Sequence, residues 1–509
     1  LEVTVLNNGK KNSKVKTRVL LIYTGGTIGM APRDPDNPAS PLVPKPLEEL
    51  RRYAPQLNLM EQRKALTISY TVAFDPPLDS SDITPTHWVG MARIIRDNYN
   101  YFEGFVILHG TDTMAYTSSA LAFILNNLSK PVVITGSQLP ISHERSDAVQ
   151  NLVNSVQLAG YKAFGLPRIP EVALCFGNKI LRGCRATKIS NDDFASFDSP
   201  NFPSLGTIGE RIKINQNLVW SGPDETEDFY INEEQASEIV QKANILDIGL
   251  WPGFKASQLE AMINLPNVRG VVLRTFGAGN TPSDPDFLKV IESAVNRENP
   301  CVILNVTQCF KGMVKMGQYT SSSELLERGV VSGLDMTKEA ALAKLYWTLA
   351  TQLESGITSQ LQINQRGEQS QNLYDLRYGS GGSAGAPVSE PFRAVHSPDS
   401  RLNRKNLYRA VVRLSGLGFA GVENGDTVRV RLFMNKPAAN ASTPGDDPCC
   451  VAECACVWEG KPITMVQEIT EKTRAVIGRG DIILSVVPLA GVKMWFKGLY
   501  LALFDRAEF

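Results

Sequence analysis

Histidine is scarce in this sequence, with 4 in 509 residues, and none stands in an HExxH or other metal-ligand spacing. That sets zinc hydrolases aside. No GxSxG elbow occurs, so the strand–turn–helix signature of a serine α/β-hydrolase is missing too. Cysteine is sparse: of the eight, Cys175, Cys184, Cys301 and Cys309 lie far apart among apolar or loop residues, and reduced thiols are expected. No apolar run approaches the roughly 20 residues a membrane helix needs, and the opening LEVTVLNNGKKNSK lacks a secretory-type hydrophobic stretch. The expectation is a cytoplasmic protein that does not engage a membrane. Net charge is absent as well: 52 basic residues face 52 acidic ones, a balance that offers nucleic acid nothing to bind.

Core-forming residues are present in ordinary measure, 43% of the chain, and the length exceeds what one core usually supports. The expected architecture is α/β, with a larger N-terminal α/β domain over residues 17–220 and a smaller α/β domain over 236–368. In the first, RVLLIYT, GFVILHG, PVVITGS and EVALCFG read as buried strands. Between them, TSSALAFILNNL and the stretch from Ser146 to Tyr161 read as helices, the latter with Val149, Leu152, Val153 and Val156 on one face. Strand and helix in alternation imply a parallel sheet covered on both faces. The acidic segment SGPDETEDFYINEEQ marks the boundary. Alternation then resumes through ILDIGLWPG, GVVLRTFG, PCVILNV and the helix TKEAALAKLYWTLATQLES, with Thr337 as N-cap and Glu339 in its first turn.

Residues 369–402, rich in Gly, Ser and Pro from GSGGSAGAP onward, read as a flexible linker. Residues 403–509 read as a β-rich accessory domain, since DTVRVRLFM alternates apolar and polar residues and VAECACVW and DIILSVVPL are strand-like. The run CCVAECAC has no paired CxxC knuckles, and strand alternation accounts for Cys454 and Cys456 as well as a metal would.

Chemistry concentrates in four segments. YTGGTIGM follows the first strand, and its glycines allow a sharp turn while Thr24 and Thr27 bring hydroxyls to the carboxyl edge of the sheet, where open α/β sheets bind ligands. HGTDTMAY repeats this after GFVILHG, setting Thr111 beside Asp112; a helix cap is the simpler role, which Thr113 could fill instead. LDSSD at 78–82 packs hydroxyls and carboxylates before a helix that Asp82 or Thr84 could cap. RGCRATKIS places Lys188 after EVALCFGNKI, and a lysine near Thr111 in a dry cleft could accept a proton. GAGNTP at 277–282 is only a fragment of a dinucleotide fingerprint.

Taken in order, YTGGTIGM, LDSSD, GFVILHGTDTMAYTSSAL, VITGSQLPI, RGCRATK and SFDSPNFP closely resemble the type I L-asparaginases of the asparaginase/glutaminase amidohydrolase family, over roughly residues 17–368. The resemblance implies hydrolysis of free L-asparagine to L-aspartate and ammonia, with Thr27 as nucleophile, Thr111, Asp112 and Lys188 as the second catalytic group, and Asp79, Ser80 and Ser81 binding substrate. It implies no metal or organic cofactor, and a homo-oligomer, dimer or tetramer. Bacterial members bind a second asparagine as activator; the matching positions are Thr187, Asn280 and Cys309. Simpler roles for two of these are a left-handed turn at Asn280 and a small buried position at Cys309. One departure is clear: many members carry a tyrosine some ten residues after the nucleophile, and APRDPDNPASPLVPK at 31–45 has none, although its length suits a mobile lid. Two other functions compete. One is a lysophospholipase-type acyl hydrolase; the other is a non-catalytic binding or scaffold protein on the same fold. The C-terminal domain is expected to act as an interaction module for a protein partner.

Overall fold

The computed structural model describes residues 16–361 apart from 35–36, 38–39, 46–51, 221, 224–227, 242–243, 317–319 and 352–356; it also describes 362–505 apart from 363, 371, 378–390, 397–406, 477–481, 490–491 and 497. The chain forms two compact units. The first holds Leu1–Leu361 with Gln365–Gln369, and the second Gln362–Asn364 with Ser370–Phe509.

In the first unit the strands run in order β1 (Thr17–Tyr23), the short pair β2 (Met30–Pro32) and β3 (Leu42–Pro44), then β4 (Leu66–Val72), β5 (Gly104–Leu108), β6 (Val132–Thr135) and β7 (Val172–Phe176), of which β1, β5, β6 and β7 are the expected ones. They are followed by β8 (Lys179–Arg182), β9 (Thr187–Lys188), β10 (Phe197–Asp198), β11 (Gly206–Ile208) and β12 (Ile212–Ile214). The main sheet runs β12-β11-β8-β7-β6-β5-β1-β4. Its strands β4, β1, β5, β6 and β7 are parallel, and β1, β5 and β7 are buried along nearly their whole length, as strands covered on both faces must be.

The sheet is not wholly parallel, because β7–β8, β8–β11 and β11–β12 pair antiparallel. EVALCFGNKI is therefore a hairpin rather than one strand, turned at Gly177, whose φ is 57°; the run was apolar throughout and hid the turn. The chain passes from β1 to β4 on one side and then to β5 on the other. This reversal makes the carboxyl end of β1 a topological switch point, the place where such sheets open a crevice.

Four parallel strands, β13 (Ile245–Gly249), β14 (Gly270–Thr275), β15 (Val302–Thr307) and β16 (Val331–Ser332), build the second sheet of this unit. Helix Lys338–Thr351 starts with Thr337 accepting from Ala340 N–H at 3.1 Å. It shares a core with helices Pro85–Asn98 and Met114–Ile124, through Trp347 against Phe123 and Tyr346 against Trp88.

The second unit holds two antiparallel sheets over a common core. One runs β17-β25-β19-β22 with β24 on β19, and the other β18-β23-β20-β21, where β17 is Asn372–Arg377, β18 Phe392–His396, β19 Leu407–Ala420, β20 Thr427–Met434, β21 Cys450–Val457, β22 Ile463–Glu468, β23 Ile482–Pro488, β24 Lys493–Trp495 and β25 Gly498–Asp505. The linker expected over 369–402 is corrected here, since β17 pairs with β25 and β18 with β23. Gly and Ser dominate the composition between these two strands and masked both.

Candidate active site

The site starts from two glycines in contact. Gly25 and Gly26, with φ of 122° and 80°, turn the chain sharply after β1. Leu78 N–H donates to Thr24 O at 2.8 Å, and Gly26 N–H donates to Leu78 O at 3.0 Å, which brings the segment after β4 alongside. A Cβ on Gly26 would lie 2.3 Å from Gly110 Cα, and one on Gly110 would lie 2.6 Å from Ser80 Oγ. Glycine is thus required where the loops after β1, β4 and β5 meet. Thr27, Ser80 and Thr111 stand next to these contacts, so the three segments picked out by motif converge at one point on the sheet edge.

Lys188 enters from β9, which pairs with β10 through Phe197↔Lys188. Its ammonium donates to Thr111 Oγ1 at 2.8 Å and to Asp112 Oδ1 at 2.7 Å. Lys188 is 19% exposed and Asp112 67%, so the base of this cluster is sheltered while its carboxylate faces outward. Thr111, itself buried, donates onward to Gln138 Oε1 at 3.4 Å. Gln138 belongs to VITGSQLPI but carried no signal of its own; a lone glutamine in a loop has none.

Asp79 accepts from Ser81 N–H at 2.9 Å and Ser81 Oγ at 2.8 Å, an arrangement that fixes the loop and leaves Asp79 exposed. Ser80 is buried, and its carbonyl accepts from Thr113 Oγ1 at 2.6 Å. Thr113 therefore spends its hydroxyl on the LDSSD loop rather than on capping helix Met114–Ile124, which it precedes. The other capping choice falls to Thr84, whose N–H donates to His87 Nδ1 at 3.0 Å.

Thr27 is half-buried on the turn Thr27–Gly29. Residues 30–44 fold partly as the β2–β3 hairpin. Tyr23, fully buried at the end of β1, points its hydroxyl at Gly29 and has no hydrogen-bond partner among the described residues. Burial pushes its pKa up, so it is a poor proton acceptor for Thr27.

The three positions matched to the activator site behave differently. Thr187 donates to Glu339 Oε1 at 2.8 Å. Glu339 is buried, its Oε2 has no hydrogen-bond partner among the described residues, and burial pushes its carboxyl pKa up against the opposing effects of its backbone, Lys338 and its hydroxyl partners. Asn280 closes a tight turn with Phe276 through bonds of 2.9 and 3.0 Å, but the left-handed residues there are Gly277 and Gly279. The expected left-handed Asn280 is corrected accordingly. Cys309 is exposed, which also corrects the small buried position expected for it; its N–H donates to Thr307 Oγ1 at 3.0 Å, and the strand end at Thr307 leaves its side chain outside the core.

Among the described residues no group of three or more His, Cys, Asp or Glu side chains could hold a metal ion, and no helix is long and apolar enough to cross a membrane.

Comparison with known proteins gives the family of this fold. The family described as "Asparaginase, N-terminal" matches residues 18–220, and the "Glutaminase/Asparaginase C-terminal domain" matches 244–359. L-asparaginase 1 of Escherichia coli is 38% identical over 356 residues, covering 69% of this chain and 98% of that protein. The 60 kDa lysophospholipase of Mus musculus is 40% identical over 353 residues, covering 65% of this chain but 58% of the mouse protein. The solved structure of L-asparaginase I from Vibrio cholerae superposes with a TM-score of 0.59 at 36% identity, covering 70% of this chain and 99% of that one. With both halves of the family fold in order and the motif loops gathered at one sheet edge, the chain belongs to the asparaginase family of amidohydrolases.

Proposed function

We propose that the chain hydrolyses free L-asparagine to L-aspartate and ammonia. The observation that supports this most is the Lys188–Thr111–Asp112 cluster, set at the switch point beside the Gly26–Gly110 contact that carries Thr27. In the proposed reaction Thr27 Oγ attacks the side-chain amide carbon. Lys188, acting through Thr111, takes up the hydroxyl proton, and that proton passes to the departing nitrogen, which leaves as ammonia. Water then adds to the acyl-threonine, Thr27 recovers its proton, and aspartate is released. Backbone N–H groups near Thr27 or Thr111 hold the oxyanion, a contribution of about 2.7–4 kcal/mol per donor. Asp112 holds the substrate ammonium, and Asp79, Ser80 and Ser81 hold its other polar groups.

Thr187, Asn280 and Cys309 are proposed to bind a second asparagine, and the chain to assemble as a homodimer or tetramer. A second reading, acyl-ester hydrolysis, draws on the similarity to the mouse lysophospholipase and on Ile189 and Phe194, which expose apolar side chains shortly after Lys188. Ammonia release from asparagine and fatty-acid release from lysophosphatidylcholine, measured side by side, decide between them. Ester cleavage without ammonia release overturns the amidase reading.

A further inference from the structure

The loop that carries Lys188 is tied down by residues lying beyond both matched domains. The C-terminal family match ends at residue 359, yet Gln365–Gln369 belong to the first unit, with Glu368 and Gln369 fully buried. Three contacts run from this segment to the start of the loop. Arg185 Nε donates to Gly367 O at 2.7 Å, Cys184 Sγ approaches Arg366 O at 3.4 Å, and Gly367, at φ 80°, lies so close to Arg182 that a Cβ there would sit 2.3 Å from its Nη1.

The segment is itself anchored to two helices. Arg366 donates through Nε to Ala122 O at 2.9 Å and through Nη2 to Asn126 Oδ1 at 2.8 Å. Glu368 pairs with Lys344 at 2.6 Å, both fully buried, and accepts from the N–H groups of Gln365 and Arg366. Helix Met114–Ile124 follows Thr111 and Asp112 directly in sequence, so the segment joins the element behind those two residues to the loop behind Lys188.

Apolar residues could have filled this space. Buried charges instead fix a single register, because any slip leaves one of them unpaired in a dry interior. We infer that residues 365–369 are a positioning element for Lys188, holding its amine against Thr111 and Asp112 by fixing Cys184 and Arg185. The activity readout of this inference rests on the amidase reading; the exchange readout does not.

The test compares the full chain with its Arg366→Ala and Asn126→Ala variants. Hydrogen exchange is followed in peptides spanning 184–197, which include the Ile189 N–H bonded to Ser196 O at 2.8 Å, and kcat and KM for asparagine are measured alongside. Exchange there should quicken at least threefold in Arg366→Ala, and kcat should fall at least tenfold with KM within threefold. Asn126→Ala, which removes one of the guanidinium's acceptors, should show smaller changes of the same sign and decides the matter if Arg366→Ala does not fold. Unchanged exchange over 184–197 in the folded variants overturns the inference. A parent chain that releases no ammonia defeats the amidase reading alone, and the exchange result still stands.

Discussion

Lys188 Nζ lies 2.8 Å from Thr111 Oγ1, a contact that closes a gap of 77 residues. It sets a lysine against a buried hydroxyl at the edge of a parallel sheet, with Asp112 as the lysine's second partner. A hydroxyl polarised in this way can pass a proton toward or away from a neighbouring nucleophile, and the predictions on turnover follow from that.

Thr27→Ala should abolish ammonia release and leave the fold intact. The side chain sits half-buried on a loop, where loss of one hydroxyl costs stability little. Turnover above one tenth of the parent, in protein with an unchanged thermal melt, removes Thr27 from the role of nucleophile.

Lys188→Met keeps the aliphatic stem and deletes the amine. If the amine transfers protons, kcat should drop by about 10²–10⁴, with KM within a few-fold. A raised KM with normal kcat would make Lys188 a substrate ligand instead.

The sequence made the strands and the motif loops legible because buried parallel strands are short apolar runs and because glycine before a ligand-facing turn has a steric cause. It brought Lys188 to Thr111 only by resemblance, since nothing local in RGCRATK says which loop it meets. Lys344 and Glu368 were illegible for a different reason: a lysine in helix Lys338–Thr351 looks like any solvated helix lysine until its burial is known. Strands β17 and β18 escaped notice because each is completed by a strand near the far end of the chain.

Gly26→Ala tests the backbone contact at the heart of the site. The new methyl would meet Gly110 at 2.3 Å, on a backbone with φ of 80°, and the combined clash and strain should cost about 2–3 kcal/mol in chemical denaturation. Gly277→Ala is the control, because it too has positive φ but nothing within 4 Å; it should cost only about 1 kcal/mol. Equal losses in the two would show that close approach is not what demands glycine at position 26.

Glu339 predicts a pH dependence of stability. Burial raises its pKa in the folded chain, so folding favours the protonated form. The stability this contributes is complete below the usual glutamate range and is lost as pH rises through the folded pKa. Glu339→Gln keeps an oxygen for Thr187 and never ionises. The variant should therefore melt close to the parent in mild acid and above it at neutral and alkaline pH. A gap that narrows as pH rises contradicts the assignment.

The C-terminal unit should be dispensable for the chemistry, but the place of the cut matters. All the candidate catalytic segments lie in the first unit, which runs through Gln369. A chain ending at residue 370 retains Glu368, whose carboxyl burial alone would push up in pKa but which Lys344 and two backbone N–H groups hold below the usual range. That chain should keep its turnover within a few-fold of the parent. A chain ending at residue 361 loses Glu368 and leaves the fully buried Lys344 amine with Leu361 O, at 2.9 Å, as a terminal partner. Removing one member of such a pair costs about 3–5 kcal/mol, and the Lys188 loop loses its contacts to Arg366 and Gly367 as well. The shorter chain should melt well below the longer one and turn over asparagine far more slowly. If the chain ending at 370 folds yet is inactive, the C-terminal unit completes the active site or the oligomer. If the two truncated chains match in melting and turnover, residues 365–369 have no part in the catalytic unit.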